Sequence, residues 1–245
     1  MEYVELDFYG FKKQEFQFEN KKAILVIPDN PREDKKWCFK TEYFAAFPEF
    51  QIEMLKKGYY VAYVQNETRW CLETDTDRQA NFAKFLHTEF GLFEKFITIG
   101  MSCGGMQSVY LAAKYPELVA AIYLDAPVIN YLSCPCGLGS GSNKAYEEFV
   151  KATGFTVKDM INYRKHPQDY IPKLVENKIP MFLIAGDSDS VVPFDENGIH
   201  LINAYKKAGL DYNFIIKKGC DHHPHGLDDN TPLLEFAEKY YGAII

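Results

Sequence analysis

Short apolar runs alternate with helix-like stretches along most of this chain, and that rhythm limits the fold more than any other feature. From residue 22 onward "AILVIP", "YYVAYV", "KFITIG", "VAAIYLDAP", "PMFLIAG" and "YNFIIKKG" each read as a buried strand. Helical patterns lie between them: "TEYFAAFPEFQIEMLKKG", interrupted near Pro48 and ended by Gly58, then "DRQANFAKFLHTEF", "MQSVYLAAKYPE" and "ENGIHLINAYKKAG". A last helix, "TPLLEFAEKYYGAI", follows the final strand. Strands that alternate with helices predict an α/β fold with a mainly parallel sheet covered on both faces. Two leading segments, "YVELDFY" and "EFQFE", alternate polar and apolar residues and suit an antiparallel N-terminal edge.

Between Pro127 and Pro180 the rhythm breaks. This stretch begins with the Gly/Ser/Pro-rich "CPCGLGSGS" and continues as short helices. It reads as a lid-like insertion, about residues 128–178, over the active edge of a single domain spanning 1–245. A chain of 245 residues buries enough surface to be stable without disulfides or a structural metal.

Charge and cysteine usage narrow the function classes. A net charge of −7 argues against a nucleic-acid surface, which needs clustered Lys and Arg. No apolar run approaches the length of a membrane span, and "MEYVELDFYG" lacks the basic and apolar regions of a signal peptide. Six cysteines (38, 71, 103, 134, 136 and 220) fall short of a secreted disulfide scaffold. The expectation is a cytoplasmic protein with reduced thiols. No sequence pattern fixes an oligomeric state.

Gly100-Met101-Ser102-Cys103-Gly104 fits G-x-S-x-G and lies after a buried strand and before a helix. Such a turn is too tight for bulky neighbours, and it lifts the serine hydroxyl to the N-terminus of the helix, where developing negative charge is favoured. Ser102 is therefore the candidate nucleophile. A serine hydroxyl needs a base. His87, His166 and His200 lie in helix-like segments and read as surface or packed residues. "CDHHPHGL" places His222, His223 and His225 in a loop after the last strand, on the same side as the serine turn. His222 is the expected base, with His223 the runner-up and His225 shaping the pocket or holding the loop. "AGDSDSVVP" offers the acid: Asp189 is preferred, Asp187 suits a turn, and Asp125 is a weaker alternative.

The order Ser102, Asp189, His222 is that of an α/β-hydrolase. The chain resembles that superfamily from "AILVIP" to the C-terminal helix. More narrowly it resembles small bacterial hydrolases of the prolyl-oligopeptidase-like and acetylxylan-esterase-like branch, which carry "PWxWR" and "GHHPHSL" stretches. Here the counterparts are Lys36-Trp37-Cys38-Phe39-Lys40 and Cys220-Asp221-His222-His223-Pro224-His225-Gly226-Leu227. Lys40 stands in place of the arginine, Phe39 in place of the second tryptophan, and Asp221 in place of glycine.

The elbow geometry makes the Cys103 N–H one oxyanion donor, with its thiol a packed small hydrophobe. For the second donor the resemblance points to Trp37 or Cys38, with Asp29 and Asn30 as alternatives. Trp37, Tyr131 and Cys134 are the expected pocket residues. Neither the cysteines nor the histidine loop matches a common zinc spacing, so no metal and no cofactor is expected. The chain reads as a serine hydrolase that cleaves a small-molecule carboxylic ester through an acyl-serine. The resemblance implies a short acyl group, such as acetyl on a carbohydrate. A peptidase or acyltransferase on the same triad, or a non-catalytic ligand-binding protein on the same scaffold, are the alternatives. The length leaves no room for the gating domain of large prolyl-oligopeptidase relatives, which favours the ester.

Overall fold

In the computed structural model, which describes residues 2–242, the apolar runs pair into one nine-stranded sheet. Its strands in chain order are β1 (Val4–Phe8), β2 (Phe11–Phe18), β3 (Lys21–Ile27), β4 (Trp37–Lys40), β5 (Tyr60–Val64), β6 (Phe96–Met101), β7 (Val119–Asp125), β8 (Met181–Gly186) and β9 (Tyr212–Lys217). They lie side by side as β1-β2-β3-β5-β4-β6-β7-β8-β9. The antiparallel part reaches further than the alternating segments suggested, because β3 pairs antiparallel with both β2 and β5. A two-residue turn with positive φ at Glu19 and Asn20 joins β2 to β3, the turn geometry that matches strand twist in a hairpin. From β5 across to β9 every pairing is parallel.

β4 carries no readable strand signal: four residues, "WCFK", preceded by Lys36 and ending in Lys40. It nevertheless enters the middle of the sheet, with all four residues buried, because β5 and β6 supply hydrogen bonds on both sides. The stretch expected to be helical from Thr41 is a loop as far as Phe47. The helix α1 (Glu49–Lys56) starts only after Pro48, which lacks the N–H that a helix interior needs.

Helices α2 (Glu73–Phe90), α3 (Cys103–Lys114), α6 (Ile171–Glu176) and α7 (Gly198–Ala208) bury apolar faces on one side of the sheet. On the other side pack α1 and α8 (Thr231–Ala237). Helix α8 passes into a wider π turn over Glu238–Gly242, and the predicted helical residues Ala243 and Ile244 lie outside the described residues. Between β7 and β8 come α4 (Tyr146–Thr153) and α5 (Val157–Asn162), ahead of α6. A third apolar cluster lies beneath α4 and α5, joining Phe149 and Met160 to Trp70, Cys103, Met106 and Tyr131. Among the described residues no helix is long and apolar enough to cross a membrane.

Parallel strands put all their C-terminal ends on one edge. The loops after β4, β6, β7, β8 and β9 meet there.

Candidate active site

Ser102 sits in the turn from β6 to α3 with φ +52°, a conformation that side chains rarely adopt. Its own backbone is pinned, since its N–H donates to Asp125 O (2.9 Å) and its carbonyl accepts from Val128 N (3.1 Å). The flanking glycines have steric reasons. A Cβ on Gly100 would collide with Ser108 and the Gly104 carbonyl, and one on Gly105 would lie 2.5 Å from Pro127 Cβ. A Cβ on Gly104 would press on Thr41 at 3.1 Å.

The loops after β8 and β9 complete the constellation. His222 Nε2 lies 3.0 Å from Ser102 Oγ, and His222 Nδ1 lies 2.8 Å from Asp189 Oδ2. The second oxygen of Asp189 accepts the N–H groups of Val191 (2.8 Å) and Val192 (2.7 Å). Burial works to raise the Asp189 carboxyl, but His222 and those two N–H donors outweigh it and hold the group below its usual range. A carboxylate so fixed places the imidazole proton on Nδ1 and turns the Nε2 lone pair toward the serine. Of the three histidines in the loop, His222 is the one whose ring reaches both Ser102 and Asp189.

The two loops touch closely because Gly186 ends β8 without a side chain; a Cβ there would collide with the Cys220 carbonyl. Asp187 accepts from Gly219 N at 2.7 Å, the turn role that was its alternative reading. Asp221 ties the loops from outside. Its carboxylate accepts from Ser190 N (2.7 Å), Ser190 Oγ (3.0 Å) and His222 N (2.8 Å). Asp125 and His225 form a second pair, with His225 Nδ1 2.8 Å from Asp125 Oδ1, so His225 holds the loop. His166 is buried and bonded to backbone atoms of the fold, and the exposed His87 bonds the Leu92 carbonyl.

The Cys103 N–H opens the first turn of α3, where backbone donors have no intrahelical acceptor. Its thiol is buried, and burial pushes it up to about 11. Trp37 does not join it. In register Trp37 pairs with Phe96, at the start of β6 and six residues before Ser102, roughly 20 Å away along a strand. Its N–H is donated to Tyr241 Oη at 3.1 Å, and its ring is fully buried between strands and helices. The resemblance placed "KWCFK" beside the site, whereas the sheet makes it a central strand; the loop that follows it reaches the site instead.

That loop contributes Tyr43 and Phe47 to a cavity of about 340 Å³ containing Ser102, His222, Arg69, Cys134 and Lys144. Cys134 thus lines the same cavity as Ser102. Tyr131 does not: it lines a neighbouring cavity of about 580 Å³ under the insertion, with Trp70, Phe149 and Tyr163. Its hydroxyl meets Tyr110 Oη at 3.1 Å and Met106 Sδ at 2.9 Å.

Several residues at the site had no sequence signal. Arg69 donates to both oxygens of Glu148 on α4, and Trp70 Nε1 donates to Glu148 Oε1 at 3.1 Å, fastening the insertion to the rim. Arg69 also donates to Tyr43 Oη (3.4 Å), and burial followed by the neighbouring Cys103 raises the Tyr43 phenol. Beneath the loop, Asn66 Nδ2 donates to Thr41 O (2.9 Å) and Gln107 Oε1 (2.9 Å), and Gln107 Nε2 donates to Glu42 Oε2 (3.0 Å). Buried amides linked in this way fix a loop because any alternative leaves polar atoms unsatisfied. Their spacing in sequence is irregular, so only the fold reveals them.

A nine-stranded α/β sheet with a serine elbow after β6, and with histidine and aspartate loops meeting it, defines an α/β-hydrolase fold with a serine-hydrolase site. Residues 58–243 match the prolyl oligopeptidase family, and the chain belongs to that family. No curated protein matches the sequence. Among solved structures it is similar to the acylaminoacyl peptidase of Pyrococcus horikoshii (TM-score 0.71, 20% identity, 94% of this chain and 42% of that one). It is also similar to a puromycin-hydrolyzing peptidase of Mycobacterium tuberculosis (0.70, 14%, 98% and 38%) and to dipeptidyl peptidase 4 of Porphyromonas gingivalis (0.64, 16%, 98% and 34%). The chain spans 34–42% of the length of these three proteins.

Proposed function

We propose that the protein hydrolyses a small carboxylic ester through an acyl-serine intermediate. The observation that carries this reading is the unbroken chain of contacts from Ser102 Oγ through His222 to Asp189, at 3.0 and 2.8 Å. Ser102 Oγ attacks the ester carbonyl as its proton passes to His222 Nε2. Asp189 keeps the imidazole oriented and stabilises its charged form. The Cys103 N–H, at the positive end of α3, receives the developing oxyanion, and Tyr43 is the nearby hydroxyl that supplies a second donor. His222 then protonates the departing alcohol. Water, deprotonated by His222, attacks the acyl-serine and restores the enzyme. The cavity of about 340 Å³ suits a short acyl group, acetyl among them.

A second reading has its own support. The matching family is a peptidase family and the three similar structures are peptidases, which favours an amide bond. The two readings share every step except the leaving group. Parallel kinetics on p-nitrophenyl acetate and on alanine p-nitroanilide separate them. The ester reading expects a higher kcat/KM on the acetate, with both rates lost in Ser102→Ala. Faster turnover of the anilide overturns the ester preference and leaves the acyl-serine route standing.

A further inference from the structure

Acyl transfer uses one imidazole, yet three are gathered at the site. One ring nitrogen from each of His222, His223 and His225 lies within 4.8 Å of the others. The ring centroids are 4.8–4.9 Å apart. Two of the rings already have the outer partners that metal-bound imidazoles have. Asp189 holds Nδ1 of His222 and Asp125 holds Nδ1 of His225, each at 2.8 Å. A carboxylate on Nδ1 keeps the proton there and leaves the Nε2 lone pair free to bind an ion. His223 is exposed, stacks on Phe47 at 5.6 Å, and among the described residues has no hydrogen bond to its ring nitrogens. Three imidazoles and no thiolate suit zinc, copper or nickel rather than magnesium or calcium.

We propose that this cluster is an inhibitory zinc site, in which Nε2 of His222, Nε2 of His225 and a ring nitrogen of His223 bind the ion and disconnect His222 from Ser102. For its consequence, loss of hydrolysis, it rests on the acyl-serine reading above; the binding itself does not. Each bond forms by donation of an imidazole lone pair, so neutral rings release no proton. The bond that breaks is the hydrogen bond from Ser102 to His222. A water fills the fourth position. Zinc–imidazole bonds of about 2.0–2.1 Å require the nitrogens to draw closer than they stand, and exposed His223 is the ring free to turn inward. The ion is an inhibitor and takes no part in the reaction.

Two measurements test this. Equilibrium dialysis against zinc chloride uses Ser102→Ala, which keeps all three ligands, and the same protein with His223→Ala or Cys220→Ser added. One zinc per chain is expected in Ser102→Ala and in the Cys220→Ser version. Removing even an outer partner costs roughly 10–100-fold in affinity, so the His223→Ala version should need at least about tenfold more zinc. Equal binding with and without His223, or loss of binding with Cys220→Ser, overturns the site. In parallel, zinc should block fluorophosphonate labelling of the unmutated protein, and EDTA should restore it. Labelling untouched by bound zinc overturns the inhibition. A protein that is never labelled, with zinc or without, contradicts the acyl-serine reading, while dialysis still decides the metal site.

Discussion

His225 Nδ1 lies 2.8 Å from Asp125 Oδ1 at the end of β7, while the Asp189–His222 pair lies at the ends of β8 and β9. Asp125 also accepts from Gly226 N at 2.6 Å and from Tyr123 Oη at 3.2 Å, so one buried carboxylate anchors the histidine loop to the sheet. Removing it leaves buried donors unsatisfied, which costs about 1–3 kcal/mol each. Asp125→Ala should lower the thermal midpoint and slow serine labelling together. Calorimetry and labelling rates check this, and a variant of normal stability and normal rate counts against the anchor.

In the proposed mechanism, Asp189 acts on chemistry through the tautomer it imposes. Asp189→Asn keeps the volume but offers an N–H to Nδ1, which moves the imidazole proton to Nε2 and removes the lone pair facing Ser102. In a serine protease the same exchange lowers kcat roughly 10⁴-fold, and a drop of that order is expected here. Ester turnover at neutral pH measures it. A loss below about tenfold means that His222 does not act as the base.

Lys40 is buried beneath the site, donating to Ala46 O (3.1 Å) and Met101 Sδ (3.2 Å). Burial pushes its ammonium down to about 7, against the opposing pull of Asp125 and Glu49. In the unfolded chain a lysine titrates near 10.4, so between about pH 7 and 10 the unfolded state binds more protons than the folded one. Stability from this group therefore rises with pH across that window and is at its lowest below about 7. Urea unfolding of the unmutated protein and Lys40→Met at pH 6.5, 8 and 9.5 tests the sign. The gap between them should shift in favour of the unmutated protein as pH rises, and a constant gap contradicts it.

What could be read from the residues was local. Gly100 to Gly104 announces the elbow because the turn is defined by its own five residues. Asp189 follows because its loop leaves β8, which is buried at every position as a central parallel strand is, and His222 follows because its loop leaves β9, whose apolar run is readable although the strand is only partly buried. Trp37 and Tyr131 were misplaced for the opposite reason. A tryptophan's neighbours depend on which strands flank it, and β4 enters the sheet only because β5 and β6 leave a place between them. Tyr43, the pair Asn66 and Arg69, and Gln107 converge from three separate segments, and nothing in their spacing records that.

The most direct test is intact mass after incubation with a fluorophosphonate probe, comparing the unmutated protein with Ser102→Ala and Cys103→Ala. Burial raises the Cys103 thiol to about 11, which keeps it mostly protonated near neutral pH and makes it a poor nucleophile. A single adduct on the unmutated protein and on Cys103→Ala, absent from Ser102→Ala, is the predicted result. An adduct that survives Ser102→Ala, or none on any of the three, contradicts the account.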